Sequence, residues 1–422
     1  MGTFLNIVLL ITFLTEVILL ARMEKVLWGT IYTPLNALAL PYTFIVLLTL
    51  CLPSSLGFVS FYYPSLFIWM AGMLLMAVPS WLLGIGVRKR YGEMVLSAEP
   101  PKKERFFILI AFVLILPFFL RLKEMLATSL ESFGSDEFGE SFAVYGIFGH
   151  LLHFLIACSI ISFSCVRKGN RIMPITLILL IAALSFVNQV KSWVIIPLIA
   201  GIFLCLDTKK INLSLRILLI VFVGGLLIFV GSYLAMFILG KGLEYDEHMG
   251  EYIAEHVFHY ITSGVLGLSE DMRQGILETH DPDVLFAPFV NFVRFFTGDE
   301  YISPINPYYL EINVNSTLPD NVRTYFGTMY VYCSLGLFCL LVLLFGFFFY
   351  LIRIAALRAQ SVYITALYSW FCALLAMGWF EYYMFHVSTF EIPAYMLLMF
   401  IIEKALFRQK NNSYGNNHYS QL

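Results

Sequence analysis

Hydrophobic runs of about 20 residues recur from one end of this chain to the other, each long enough to cross a bilayer as a helix. Nothing else in the sequence constrains the fold as strongly. In hydrocarbon every backbone N–H and C=O must find its partner inside the protein, and continuous apolar runs of this length achieve that as α-helices. The residues that a water-facing surface needs are scarce: 60% of the 422 residues are hydrophobic and 13% are charged. An ordinary soluble domain has roughly 25% charged residues. The sequence therefore specifies an all-α polytopic membrane protein. A formal net charge of −2 gives no sign of nucleic acid as a partner, and no GxxxxGK[ST] phosphate-binding loop is present.

About eleven transmembrane helices are expected, near residues 3–21, 35–52, 62–86, 105–122, 142–165, 172–187, 191–206, 216–240, 324–352, 361–380 and 383–403. Transmembrane helices one to eight then occupy 1–240, a large loop 241–323, helices nine to eleven 324–407, and a polar tail 408–422 that reads as disordered. Strict alternation of the connections sorts the cations. Arg22/Lys25, Arg88 to Arg105, Arg167 to Arg171, Lys209 to Arg216, Arg353/Arg358 and Lys404 to Lys410 share one side, with 19 of the 26 Lys and Arg residues. The other 7 (26 − 19) are Arg121, Lys123, Lys191, Lys241, Arg273, Arg294 and Arg323. The positive-inside rule makes the first side cytoplasmic, so 241–323 faces outward. The run from Phe4 to Leu20 has no basic residue before it and Arg22 and Lys25 after it, so it reads as a retained helix rather than a cleaved signal. All seven cysteines fall in or beside apolar runs and none in the loop, which indicates neither a disulfide framework nor a cysteine metal site. No internal repeat of the transporter kind is visible.

The loop is far longer than an ordinary connection, which marks it as structured and functional. It holds 14 carboxylates against four cations. In "EYIAEHVFHYITSG", Glu251, Glu255 and His259 repeat every four residues beside a stripe of Tyr252, His256 and Tyr260, which predicts a helix that Gly264 ends. Proline-punctuated turns with interleaved aromatics follow. His256 and His259 lack a specific third and fourth ligand partner, so they read as a helix face and no metal is expected.

Among the scarce outer cations, Arg273, Arg294 and Arg323 admit two readings. They either pair with local carboxylates such as Asp271 and Asp320, or converge on a dianion, since a guanidinium fork matches phosphate oxygens. Lys191, after the polar patch "SFVNQVKSW", either snorkels to the interface or joins that clamp. His150, His153 and Glu391 lie in the outer halves of two apolar runs, where ionisable groups face a polar cavity or one another. Glu381 and His386 bracket the short outer turn before Glu391. His259, Glu381 and Glu391 are the candidate general bases.

In layout the chain resembles the O-antigen polymerases, the oligosaccharide repeat-unit polymerases of bacterial surface polysaccharide assembly. The resemblance rests on many spans with one large outward loop in the second half, on "YITSGVLGL", and on "NVRTYFGTMYVYCSLGLFCLLVLLFGFFFYLI". In the last stretch Asn321, Thr324, Phe326, Gly336 and Gly346 fit the family's loop exit, whereas Val331 and Cys333 replace its Asp-like and first Gly-like residues. Lys191 stands where relatives often open a span with arginine. The resemblance implies a glycosyltransferase of the bacterial inner membrane. Such an enzyme moves glycan from undecaprenyl diphosphate onto a sugar hydroxyl of another lipid-linked repeat unit at the periplasmic face. It implies no cofactor, membrane lipids as surroundings and a separate chain-length regulator as an optional partner. An O-antigen ligase, which passes glycan to lipid A-core, shares this build but tends to carry a histidine late in the loop; here the last is His280. A lipid-linked oligosaccharide flippase is the alternative from another class.

Overall fold

A computed structural model of the chain describes residues 2–406 apart from 53, 92–95, 97–98, 102–103, 129–141, 143–145, 168–169, 188–190, 241–248, 276–280, 304–309 and 315–319. The polar tail and His280 lie outside the described residues. Every regular element among those described is helical, and the strand-like pairings Phe58 with Asn313 and Leu310 with Asp320 are isolated bridges. Five helices are long and apolar enough to cross a membrane: Thr3–Trp28, Tyr63–Lys89, Glu104–Ala127, Gly146–Cys165 and Leu335–Ala359. This is a membrane protein built from helices.

The helices are α1 (Gly2–Trp28), α2 (Pro34–Leu50), α3 (Leu66–Tyr91), α4 (Glu104–Thr128), α5 (Gly146–Cys165), α6 (Ile172–Val187), α7 (Ser192–Asp207) and α8 (Leu215–Gly240). The loop contributes α9 (Met249–Gln274) and α10 (Ala287–Thr297), and the chain closes with α11 (Tyr325–Tyr332), α12 (Leu335–Ala359), α13 (Val362–Ala376) and α14 (Ser388–Leu406). The apolar run expected as one element over 324–352 is divided. Cys333 is extended and Ser334 restarts the helix, its hydroxyl accepting from the Leu337 N–H. A serine that can cap is a start signal even inside an apolar run.

The centre of the bundle is α13, every residue of which is buried. A helix that is apolar all round belongs in the middle of its neighbours, and α13 packs on α7, α14, α2 and α12. Polar side chains brace one end. Glu24 of α1 accepts from Tyr350 of α12 at 2.8 Å and from Ser80 of α3, which in turn accepts from Trp28 Nε1 at 2.9 Å. Arg353 donates to the Tyr32 carbonyl at 2.9 Å and to Tyr368 at 2.6 Å, with Asp207 at 3.8 Å. Each of these groups would be costly alone in an apolar interior, and each has its partner.

Gly264 does not end its helix, contrary to the sequence expectation. Helix α9 runs through it to Gln274. A Cβ at Gly264 would meet the Trp379 and Phe380 carbonyls, and one at Gly267 would meet Asp320, Val322 and Arg323. The two glycines form a notch that lets the segment after α13 and the loop exit lie directly on α9. Glycine is used here for close approach of backbones, at some cost in helix propensity.

Candidate functional site

A cavity of about 1190 Å³ opens between α2, α7, α8, α9 and α13. Lys191, His153, Glu381 and His386 line it near the start of α7, while Tyr32 and Leu213 line it near the end of that helix. The sixteen residues of α7 separate these two ends, a span of about 24 Å at helical rise. Between them the walls are mostly apolar, with Ile, Leu and Phe the commonest side chains. The outer wall is α8, whose closest packing is on α9; Phe222 meets Phe44 edge-on at 6.5 Å and Phe229 meets Tyr260 at 5.2 Å. The result is a long apolar slot with ionisable groups at one end.

That end is organised around Glu391 in the first turn of α14. Its carboxylate accepts from Nδ1 of His153 at 2.7 Å, from Nδ1 of His150 at 2.7 Å and from the Tyr395 hydroxyl at 2.8 Å. The two histidines are three residues apart on α5, so one helical face presents both rings to one carboxylate. A carboxylate only accepts, so each imidazole carries a proton on Nδ1, and in the neutral ring the lone pair is on Nε2. His150 is largely exposed, whereas His153 is buried and held edge-on by Trp193 at 5.4 Å. His153 Nε2 is buried and has no hydrogen-bond partner. A carboxylate that fixes an imidazole tautomer and leaves the far nitrogen unpaired beside a cavity is an arrangement suited to proton acceptance. Among the described residues no group of three His, Cys, Asp or Glu is placed to hold a metal ion.

Lys191 lies before the first residue of α7 with its Nζ 4.2 Å from the Phe229 ring centre and 4.3 Å from that of Tyr260. Aromatic faces hold an ammonium without neutralising it. Glu381 stands across the same mouth, 3.7 Å from His386 Nε2. The α9 notch seats the Trp379–Glu381 segment, and Tyr260 stacks on Phe380 at 6.2 Å. Helix α9 is thus the wall that closes the polar end of the cavity.

The other sequence candidates lie elsewhere. Arg323 is enclosed: its Nε and one terminal nitrogen donate to Asp271, the latter at 3.2 Å. Its other terminal nitrogen reaches the Val322 carbonyl at 2.8 Å and Asp320 at 3.4 Å. Burial pushes the Asp320 carboxyl up to about 7, with Arg323 and the Val322 N–H opposing the rise. Arg273 donates to the Ser60 carbonyl and hydroxyl, with Glu270 at 3.5 Å. Arg294 donates to the Glu300 carbonyl at 2.6 Å. None of these three arginines lines the cavity, and neither does His259. Burial drives the His259 imidazole down to about 4, helped by His256 and opposed by Glu255. The structure therefore brings Lys191, Glu381 and Glu391 to one region and leaves Arg273, Arg294, Arg323 and His259 out of it. His153 was legible only as an ionisable residue in an apolar run; its pairing with a carboxylate 238 residues away was not.

A family model described as a family of unknown function, DUF6337, matches residues 57–409, and the chain belongs to that family. No curated protein and no solved structure matches the chain.

Proposed function

We propose that this member of the family is a multi-pass glycosyltransferase of the bacterial inner membrane that polymerises undecaprenyl-diphosphate-linked oligosaccharide repeat units at the periplasmic face. On this reading eleven apolar helices span the membrane, and the loop carrying α9 and α10 is periplasmic. The observation that carries it is the cavity: an apolar slot about 24 Å long, with Lys191, His153 and Glu381 at one end. A polyprenyl chain needs such a slot. Its diphosphate needs a cation where the slot meets water.

In the reaction the acceptor hydroxyl of one unit attacks the anomeric carbon of the other. The new glycosidic C–O bond forms as the bond to the diphosphate oxygen breaks, and the diphosphate leaves with the electron pair. Lys191 offsets the charge that develops on it. The hydroxyl proton passes to His153 Nε2, and Glu391 stabilises the imidazolium so formed. Glu381 and His386 are placed to receive sugar hydroxyls, and the aromatic rings of α9 face the glycan.

The test is the lipopolysaccharide of a strain in which this gene is deleted. Core bearing a single repeat unit supports the polymerase. Bare core with lipid-linked polymer accumulating means a ligase, and lipid-linked single units retained on the cytoplasmic side mean a flippase. Either of these outcomes overturns the reading.

A further inference from the structure

Helix α10 presents its apolar face outward. Phe289, Phe292, Val293 and Phe296 fall on one arc of the helix, and all are exposed, Phe292 by 67% and Phe296 by 70%. Phe295 beside them and Tyr301 just beyond are exposed too. The opposite arc is the one turned to the protein. Asn291 donates to the Ile302 carbonyl at 2.9 Å and accepts from the Ile302 N–H at 2.7 Å. Arg294 reaches back to the Glu300 carbonyl, and Gly298, at φ 78°, closes the helix on the Arg294 carbonyl. In water this is the wrong way round: a surface helix normally buries its apolar stripe and exposes its polar one.

What lies against this face follows from where the helix sits. The 3-10 turn before it, Pro282–Phe286, stacks Phe286 on Phe345 of α12 at 6.4 Å. Phe289 packs on Phe390 in the first turn of α14 at 4.7 Å. Leu340 and Leu344 of α12 and Val387 before α14 are themselves exposed apolar side chains, so the α10 face continues the outer surface of a helix long and apolar enough to span. Phe390 stands in the first turn of α14, so the α10 ring face meets the bundle at a helix end, where interfacial helices lie with their apolar face roughly 5–10 Å into the headgroup and acyl boundary.

We infer that α10 is an interfacial helix, lying along the bilayer surface at the end of the bundle that carries the loop, with its phenylalanine face in the acyl chains. The occupant is lipid rather than protein because the face is continuous with that of α12 and α14. The residues flanking the helix, Asp281, Asp283, Asp299 and Glu300, are acidic, so apolar burial holds it and attraction to anionic headgroups does not. The inference is independent of the reaction proposed above.

The test uses the full chain with p-benzoylphenylalanine in place of Phe292 or Phe296, one at a time, reconstituted in nanodiscs of palmitoyl-oleoyl phosphatidylcholine. The exposed Asp283 carries the same group as a control. Irradiation should give a phospholipid adduct, read by intact mass, several-fold more abundant at 292 and 296 than at 283. Phospholipid adduct at 292 and 296 that stays at the low yield of the water-facing control at 283 would overturn the inference, because the helix face would then lie in water. A covalent dimer at 292 or 296 would overturn it as well, since a second copy would then be what covers the face. The photoreactive residue replaces one exposed aromatic by another, and monodispersity on size exclusion verifies that the fold is kept.

Discussion

Two clusters in this molecule each join carboxylates to nitrogen-bearing side chains and are finished differently. At the loop exit, Arg323 joins Asp271 and Asp320, with all three side chains almost wholly enclosed. At the cavity mouth, Glu391 joins His150 and His153, one of them largely exposed. In the first cluster each guanidinium nitrogen is used, by Asp271, by Asp320 and by the Val322 carbonyl. In the second, His153 Nε2 is left without a partner beside a cavity. Buried ionisable groups alone do not mark a candidate site; one with an unpaired nitrogen on a residue that lines a cavity does. The first cluster fastens α9 to the loop exit, and the second is available for chemistry.

Removing one member from each cluster tests this difference most severely. Arg323→Met leaves Asp271 buried without its cation, and losing one partner of a buried ion pair costs about 3–5 kcal/mol. We expect a clear fall in the melting temperature of the purified protein, with loss of function following from loss of fold. His153→Ala should do the reverse, with melting nearly unchanged and turnover of lipid-linked repeat units reduced about a hundredfold. Glu391→Gln should follow His153→Ala in direction with a smaller loss, because the amide can still accept from one imidazole. A His153 variant that melts early while retaining its turnover would erase the contrast between the clusters.

Gly264→Val probes the element that links them. The added side chain would meet the Trp379 and Phe380 carbonyls, which are backbone and cannot swing aside. Overpacking of this kind costs about 1–3 kcal/mol. Because the displaced segment carries Glu381, the Michaelis constant for the lipid-linked unit should rise as well. An unchanged constant in a destabilised protein would mean that α9 closes the cavity without shaping it.

The apolar helices were readable because a bilayer demands long continuous runs, and such runs have little else to become. The helix of the loop was readable as far as Gly264, since Glu251, Glu255 and His259 keep helical spacing. Its continuation was not, because what Gly264 does is decided by carbonyls more than a hundred residues away and local propensity carries no trace of them. The polar mouth was half legible. Two histidines one turn apart in an apolar run and a lone glutamate in another each call for a partner, but nothing in the sequence states that they partner one another. Lys191 likewise read as an interfacial cation; that two rings from α8 and α9 enclose it depends on how those helices cross. Arg323 was readable as a residue with acidic neighbours, and that reading describes the geometry it has.

The smallest expected effect lies within the closed cluster itself. Asp271 takes two nitrogens of Arg323, while Asp320 is reached by one at 3.4 Å. One guanidinium cannot neutralise two enclosed carboxylates, and burial with the pKa about 7 means that Asp320 holds a proton over much of the mildly acidic range. Asp320→Asn should therefore lower the melting temperature at pH 6 less than Asp271→Asn does. The pH dependence has a definite sign. In the unfolded chain Asp320 ionises near pH 4, in the folded protein near pH 7. Between these values the folded state holds the extra proton, so stability falls as pH rises through the window and the loss is complete above the folded value. Melting curves of the wild type and Asp320→Asn between pH 4 and pH 8 should then diverge, the variant losing less as the pH rises. If both decline in parallel, Asp320 is ionised throughout, and the cluster is held as a full pair of anions on one cation.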